Sequence, residues 1–285
     1  METTKFVPSI GGRCSFKDRA TSIYYDAIIS DISRRDNIAF VTLVGVDTER
    51  KVKLSVLKPP MYPDINKRFE YFERLGQLAI DRKVKSMIAT GEGGIGKSWT
   101  IDNLLELNDL EQDKDYVRIK GHCTPYALYH TLEENPHGLF LMDDCDEVLR
   151  DPLSNNIMKA ILDTQGTRRV KWMSKSRMSH FDFHGSVIYL SNLNRNKLDQ
   201  AIISRSIMID LYMNVDEKIE RMDYILPSLK DGEDMEPSDR VKVLKLIAEY
   251  RHTISDLNVR TLIKALQVYK ETEDMQLTQY QILNG

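Results

Sequence analysis

Two stretches of the chain carry residues whose types and spacing suit phosphate chemistry. The first is Gly91-Glu-Gly-Gly-Ile-Gly96-Lys97-Ser98. A glycine, four residues and then Gly-Lys-Ser is the spacing at which a tight turn lets backbone N–H groups surround a β-phosphate. The lysine then reaches the β/γ oxygens and the hydroxyl ligates Mg2+. Gly91, Glu92, Gly93, Gly94, Ile95, Gly96, Lys97, Ser98 and Trp99 are the candidate nucleotide contacts, and Ser98 is also a candidate metal ligand. The second stretch is Leu139-Phe-Leu-Met-Asp143-Asp144-Cys-Asp146-Glu147. Hydrolysis needs one carboxylate to hold Mg2+ and another to orient the attacking water, both at the carboxyl edge of a sheet beside the phosphate loop. Asp143 directly follows the apolar run and is the expected metal residue; Asp144 is the expected water activator. The Asp144 arm is short, with Asp146 and Glu147 as the alternatives, and Asp144 stays the preferred residue.

Each stretch needs a strand to deliver it. Residues 87–90 suit a buried strand and residues 99–107 carry apolar residues at helical spacing, so the loop falls at a helix N-terminus with its partial positive charge. Before it, residues 66–82 place Phe69, Phe72, Leu75, Leu78 and Ala79 on one helix face. After it come strands at 116–119, 139–142, 186–190 and 207–211, with helices at 126–133 and 155–162 between them. That alternation predicts an α/β fold, a doubly wound parallel five-stranded sheet. Beyond residue 214 the pattern is purely helical, at 216–226, 237–250 and 258–271.

The amino-terminal part reads differently. Residues 23–32, 37–46 and 51–57 are rich in β-branched and aromatic residues and are separated by turn-forming clusters, which predicts a small antiparallel meander. Its brevity suggests an SH3-like or Tudor-like barrel, either a binding module for a protein partner or a cap on the larger domain. The expected division is a lead-in at 1–20, the β domain at 21–60 followed by a proline-rich linker from Lys58 to Pro63, a nucleotide-binding domain at 65–213, a helical lid at 214–275 and a tail at 276–285. The net charge of -3 confines any nucleic-acid binding to a local patch. Three scattered cysteines without C-x-x-C spacing argue against a disulfide scaffold or zinc site. With no signal-like start or membrane-length apolar run, the expected location is the cytoplasm, with no membrane partner.

Over residues 65–275 the chain resembles an AAA+ ATPase and is similar to AAA+ proteins of tailed bacteriophages. Lys97 resembles that family's Walker A lysine, and Asp143-Asp144 its Walker B pair. Asn192 stands where the family keeps a sensor-1 residue. Arg205 resembles an arginine finger that completes a neighbour's site, and Arg260 a sensor-2 residue in the lid. The resemblance implies ATP and Mg2+ as cofactors, ATP hydrolysis, and a homo-oligomer whose expected form is a hexameric ring.

The acceptor is less determined. Residues 165–184 are locally basic with interleaved aromatics, and Arg168, Arg169, Lys171, Lys175 and Arg177 are candidate contacts to single- or double-stranded DNA. Val170 and Trp172 could instead belong to a buried strand. The expected function is a motor in DNA transactions. The alternatives are a protein remodeller or adaptor and a slowly hydrolysing ATP-gated scaffold.

Overall fold

The computed structural model describes residues 7–11, 13–18, 24–43, 48–58, 64–173, 178–230 and 233–285. The expected linker over residues 59–63 lies outside the described residues, as do Lys175 and Arg177.

Four antiparallel strands come first, β1 (Arg13–Lys17), β2 (Tyr24–Ser33), β3 (Ile38–Leu43) and β4 (Glu49–Lys53), paired in sequence order. Alternation in β3 puts Ala39, Val41 and Leu43 inward, where they meet Ala27, Ile29, Cys14 and Phe16. After β4 one turn of 3-10 helix leads to Lys58, whose N–H and C=O exchange bonds of 2.8 and 3.0 Å with Ser15. The chain thus returns to the outer edge of β1. Residues 13–17, expected as part of a loose lead-in, are therefore an integral strand. Only Cys14 and Phe16 carry apolar side chains into the core there, too few to form a readable period.

Helix α1 (Ile65–Ile80), capped by the Asp64 carboxylate, leads into β5 (Ser86–Thr90) and α2 (Lys97–Leu107). There follow β6 (Tyr116–Lys120), α3 (Pro125–Glu134), β7 (Leu139–Asp143), the short α4 (Glu147–Arg150) and α5 (Pro152–Ile161). A hairpin of β8 (Arg169–Met173) and β9 (Met178–Asp182) precedes β10 (Ser186–Ser191), α6 (Gln200–Ile203) and β11 (Ile207–Asp210). The main sheet has the order β11-β5-β10-β7-β6, with every pairing parallel. Strands β5, β7 and β10 are buried along their whole length, as strands covered on both faces must be. One face packs Phe69, Phe72, Ile101 and Leu105 against Met87, Leu141 and Ile188. The other packs Leu128, Tyr129, Met158 and Ile161 against Ile88, Phe140 and Val187.

The remaining elements are helices α7 (Val215–Ile225), α8 (Pro237–Glu249), α9 (Val259–Thr272) and α10 (Met275–Asn284). They share a core that includes Met222, Val243, Ile247, Leu262, Leu266 and Ile282. The expected tail is thus a fourth helix, started by the Asp274 side chain and holding Thr278 and Ile282 in the core. After Met275 its hydrophobic residues are Leu277, Tyr280, Ile282 and Leu283, and Leu277 and Tyr280 are exposed, so its period is weak. No helix among the described residues is long and apolar enough to cross a membrane.

Candidate nucleotide site

Strand order decides where the chemistry sits. β5 lies between β11 and β10, so the loop after β5, the acidic end of β7 and the end of β10 open on the same carboxyl edge of the sheet. Gly94 (φ 75°) and Gly96 (φ 99°) take left-handed backbone in the loop, and Gly96 immediately precedes α2. A Cβ at Gly94 would come within 2.9 Å of the Asn258 side chain. The Gly94 carbonyl accepts from the Val259 N–H at 3.1 Å, so the loop touches the start of α9 directly.

Lys97 is 6% exposed, and its ammonium donates to the carbonyls of Gly91 (2.6 Å) and Glu92 (2.8 Å) and to Asn192 Oδ1 (2.9 Å). Burial lowers its pKa to about 8, against the pull of Asp144, Asp146, Asp143 and Glu92. Ser98 Oγ donates to Asp143 Oδ1 at 2.8 Å. The other oxygen of Asp143 is buried without a hydrogen bond, and the nearest cation to it, Lys120 Nζ, stands 3.5 Å away. A hydroxyl beside a carboxylate with one unsatisfied oxygen is a donor set that suits Mg2+. Asp144 follows in left-handed backbone (φ 52°), which turns its half-exposed carboxylate back over the edge, where Oδ1 accepts from Asn192 Nδ2 at 2.9 Å. Asn192 therefore bridges Lys97 and Asp144.

A cleft of about 380 Å3 lies above these groups. Its floor is Gly93 to Trp99, Asp144 and Asn192; Arg221, Ile225, Leu229, Lys230, Val259, Arg260 and Ile263 of the helical segment line the rest. Within the loop Gly91 and Glu92 stand back from the cleft, and the Glu92 carboxylate is ion-paired with Lys218 on α7. Arg260 is exposed, with no hydrogen bond or ion pair from its side chain to the described residues. Trp99, 48% exposed, is the aromatic face of the cleft.

The remaining predicted residues lie elsewhere. Arg205 is outside the cleft beside the amino-terminal end of β5, where Ser86 Oγ meets its carbonyl. Its guanidinium donates to the Ala201 carbonyl at 2.9 Å, and its Nε stands 3.9 Å from Asp163. Arg168 cannot serve as a nucleic-acid contact. It is buried, donates to the carbonyls of Ile161 and Gly185, and stacks on Phe183, so it is a fastener for the base of the hairpin. Arg169 is held by both oxygens of Asp182, while Lys171 is exposed. Val170 is buried and Trp172 packs on Tyr126 and Tyr129, so half of this basic stretch is an anchored hairpin face.

Three contributors, Lys120, Tyr212 and Arg68, escaped the sequence reading, and Asp146, read there as a stand-in for Asp144, instead holds the backbone of Asn192. Lys120 comes to the acids only through the β6–β7 register, which sets it opposite Asp143. Asp146 accepts from Ser191 Oγ (2.7 Å) and the Asn192 N–H (3.0 Å), and Tyr212 OH donates to the Asn192 carbonyl (3.0 Å). Arg68 donates to the Tyr212 carbonyl (2.9 Å) and to Glu217 on α7 (2.6 Å), and Glu217 also pairs with Arg13 of β1 at 2.6 Å. All these bonds join residues far apart in the chain.

A parallel five-stranded sheet whose glycine-rich loop feeds a helix start, with paired acids on the same carboxyl edge, defines an α/β P-loop fold. No family model matches the chain. It is 31% identical over 175 residues to an uncharacterised 36.7 kDa protein of the nrdC-mobD intergenic region of Enterobacteria phage T4, a match covering 54% of this chain. The match spans about half, 53%, of that relative's length. Among solved structures the chain is similar to the RuvB Holliday junction branch migration motor of Thermotoga maritima, with 13% identity and a TM-score of 0.48 over 75% of this chain and 69% of that one.

Proposed function

We propose that the chain is a Mg2+-dependent ATP-hydrolysing motor of the AAA+ type that assembles as a homo-oligomeric ring and works in DNA transactions. The observation that carries this reading is the convergence of Lys97, Ser98, Asp143, Asp144 and Asn192 beneath one cleft. Ser98 and Asp143 would hold Mg2+, which supplies charge neutralisation at the β/γ oxygens when bound. Lys97 leaves the loop carbonyls for the phosphates. Asp144 orients a water and accepts its proton as the water oxygen bonds to the γ-phosphorus; the bond to the β–γ bridging oxygen breaks and ADP departs with the electron pair. Asn192, already on Asp144, keeps that carboxylate aimed. Arg260 meets the nucleotide from the helical side.

Arg205 stands away from its own cleft and is proposed to reach the γ-phosphate of a neighbour. Arg205→Ala should still bind ATP yet turn over about 10³-fold more slowly. Mixing it with a Lys97 variant should restore part of the rate, and no recovery at any ratio removes the shared site. For DNA, Lys171 with Lys175 and Arg177 is the remaining set. Phosphate release measured without DNA and with single-stranded or duplex DNA tests this: stimulation by DNA is expected, and its absence removes the DNA role. A second reading, an ATP-gated scaffold with little turnover, is favoured by the short Asp144 side chain engaged by Asn192; tight ATP binding with negligible release would select it.

A further inference from the structure

Asn192 is gripped at every polar atom. Its amide oxygen faces Lys97 and its amide nitrogen faces Asp144. Its backbone N–H is taken by Asp146 Oδ2 and its carbonyl by Tyr212 OH. Both oxygens of Asp146 are engaged, because Oδ1 accepts from Ser191 Oγ, the residue just before Asn192, and Ser191 Oγ in turn accepts from the Leu193 N–H at 3.0 Å. Three consecutive residues at the end of β10 are therefore fixed from one carboxylate on the far side of the acidic run. A carboxylate engaged through both oxygens in this way is a good strut.

We propose that Asp146 and Tyr212 are positioning residues that set the placement of Asn192, and through it the relative placement of Lys97 and Asp144. The proposal rests on the hydrolytic reading above. Two contacts from different elements, the turn after β7 and the residues after β11, hold the backbone of Asn192 on both sides. Its amide then spans a fixed gap between ammonium and carboxylate. Releasing the backbone lets the amide drift, and misplacement of about 1 Å lowers rates by about 10²-fold.

The test is steady-state ATP turnover, with affinity for a fluorescent ATP analogue measured on the same samples. Asp146→Ala should lower kcat by about 10²-fold while analogue affinity stays within a few-fold of the parent. Asp146→Asn should recover most of that loss, because its amide oxygen still accepts from the Asn192 N–H and its amide nitrogen can donate to Ser191. In the Asn192→Ala background, Asp146→Ala should have no further effect, since the group it places is gone. Tyr212→Phe, which keeps the ring, should lower kcat by about tenfold. Asp146→Asn as inactive as Asp146→Ala would make Asp146 the proton acceptor and overturn the proposal. A full additive loss in the double variant would also overturn it, by showing that Asp146 acts on something other than Asn192. A parent protein that binds the analogue but releases no phosphate would instead remove the hydrolytic reading and the proposal with it.

Discussion

Lys97→Ala should weaken triphosphate binding by about 10²-fold or more, the scale for deleting one member of a close, desolvated charge pair. The ammonium sits at 6% exposure with only carbonyl and amide oxygens as direct partners, an arrangement that holds it ready for anionic oxygens. Its pKa of about 8 gives the prediction a second readout. The lysine without nucleotide titrates below the ordinary value of 10.5, so it is increasingly neutral as pH rises through about 8. Phosphate oxygens favour the ammonium and raise that pKa. Binding therefore takes up protons near and above pH 8, and affinity falls as pH rises. Calorimetry in two buffers of different ionisation enthalpy measures the uptake directly. Unchanged affinity in Lys97→Ala would dismiss the phosphate assignment.

Asp144→Asn should leave ATP bound and slow its hydrolysis by about 10²- to 10⁴-fold, the range for losing a positioned proton acceptor. The change is nearly isosteric, and the asparagine oxygen can still accept from Asn192, so the loss isolates the carboxylate's charge. Both oxygens of Asp146 are engaged by Ser191 and Asn192, and Glu147 begins α4 with its side chain 65% exposed, 3.5 Å from Arg150. Single-turnover release from pre-bound ATP checks the prediction. Turnover at the parent rate would place the base on another residue.

The two stretches proposed to handle phosphate were legible because each is local: glycines, lysine and serine within eight residues, and acids at the end of one apolar run. The parallel sheet was legible for the same reason, since β5, β7 and β10 are buried on both faces and read as continuous apolar segments. What sequence spacing could not supply was partnership across the fold. Arg168 looks like any exposed arginine in a basic run until the carbonyls of Ile161 and Gly185 close over it. Lys120 meets Asp143 only because β6 pairs with β7 in one register. Strand β1 and helix α10 were missed because short segments with few apolar residues take their order from the surfaces they join.

Helix α7 ties the small β unit to the loop of the candidate nucleotide site. Adjacent residues on a helix point about 100° apart. Here Glu217 faces Arg13 and Arg68, while Lys218 faces Glu92 of the phosphate loop. The helix is moored on two sides, so a swing of the helical bundle that parts one tether loads the other. The four-stranded sheet is thereby yoked through α7 to the loop that opens on the cleft.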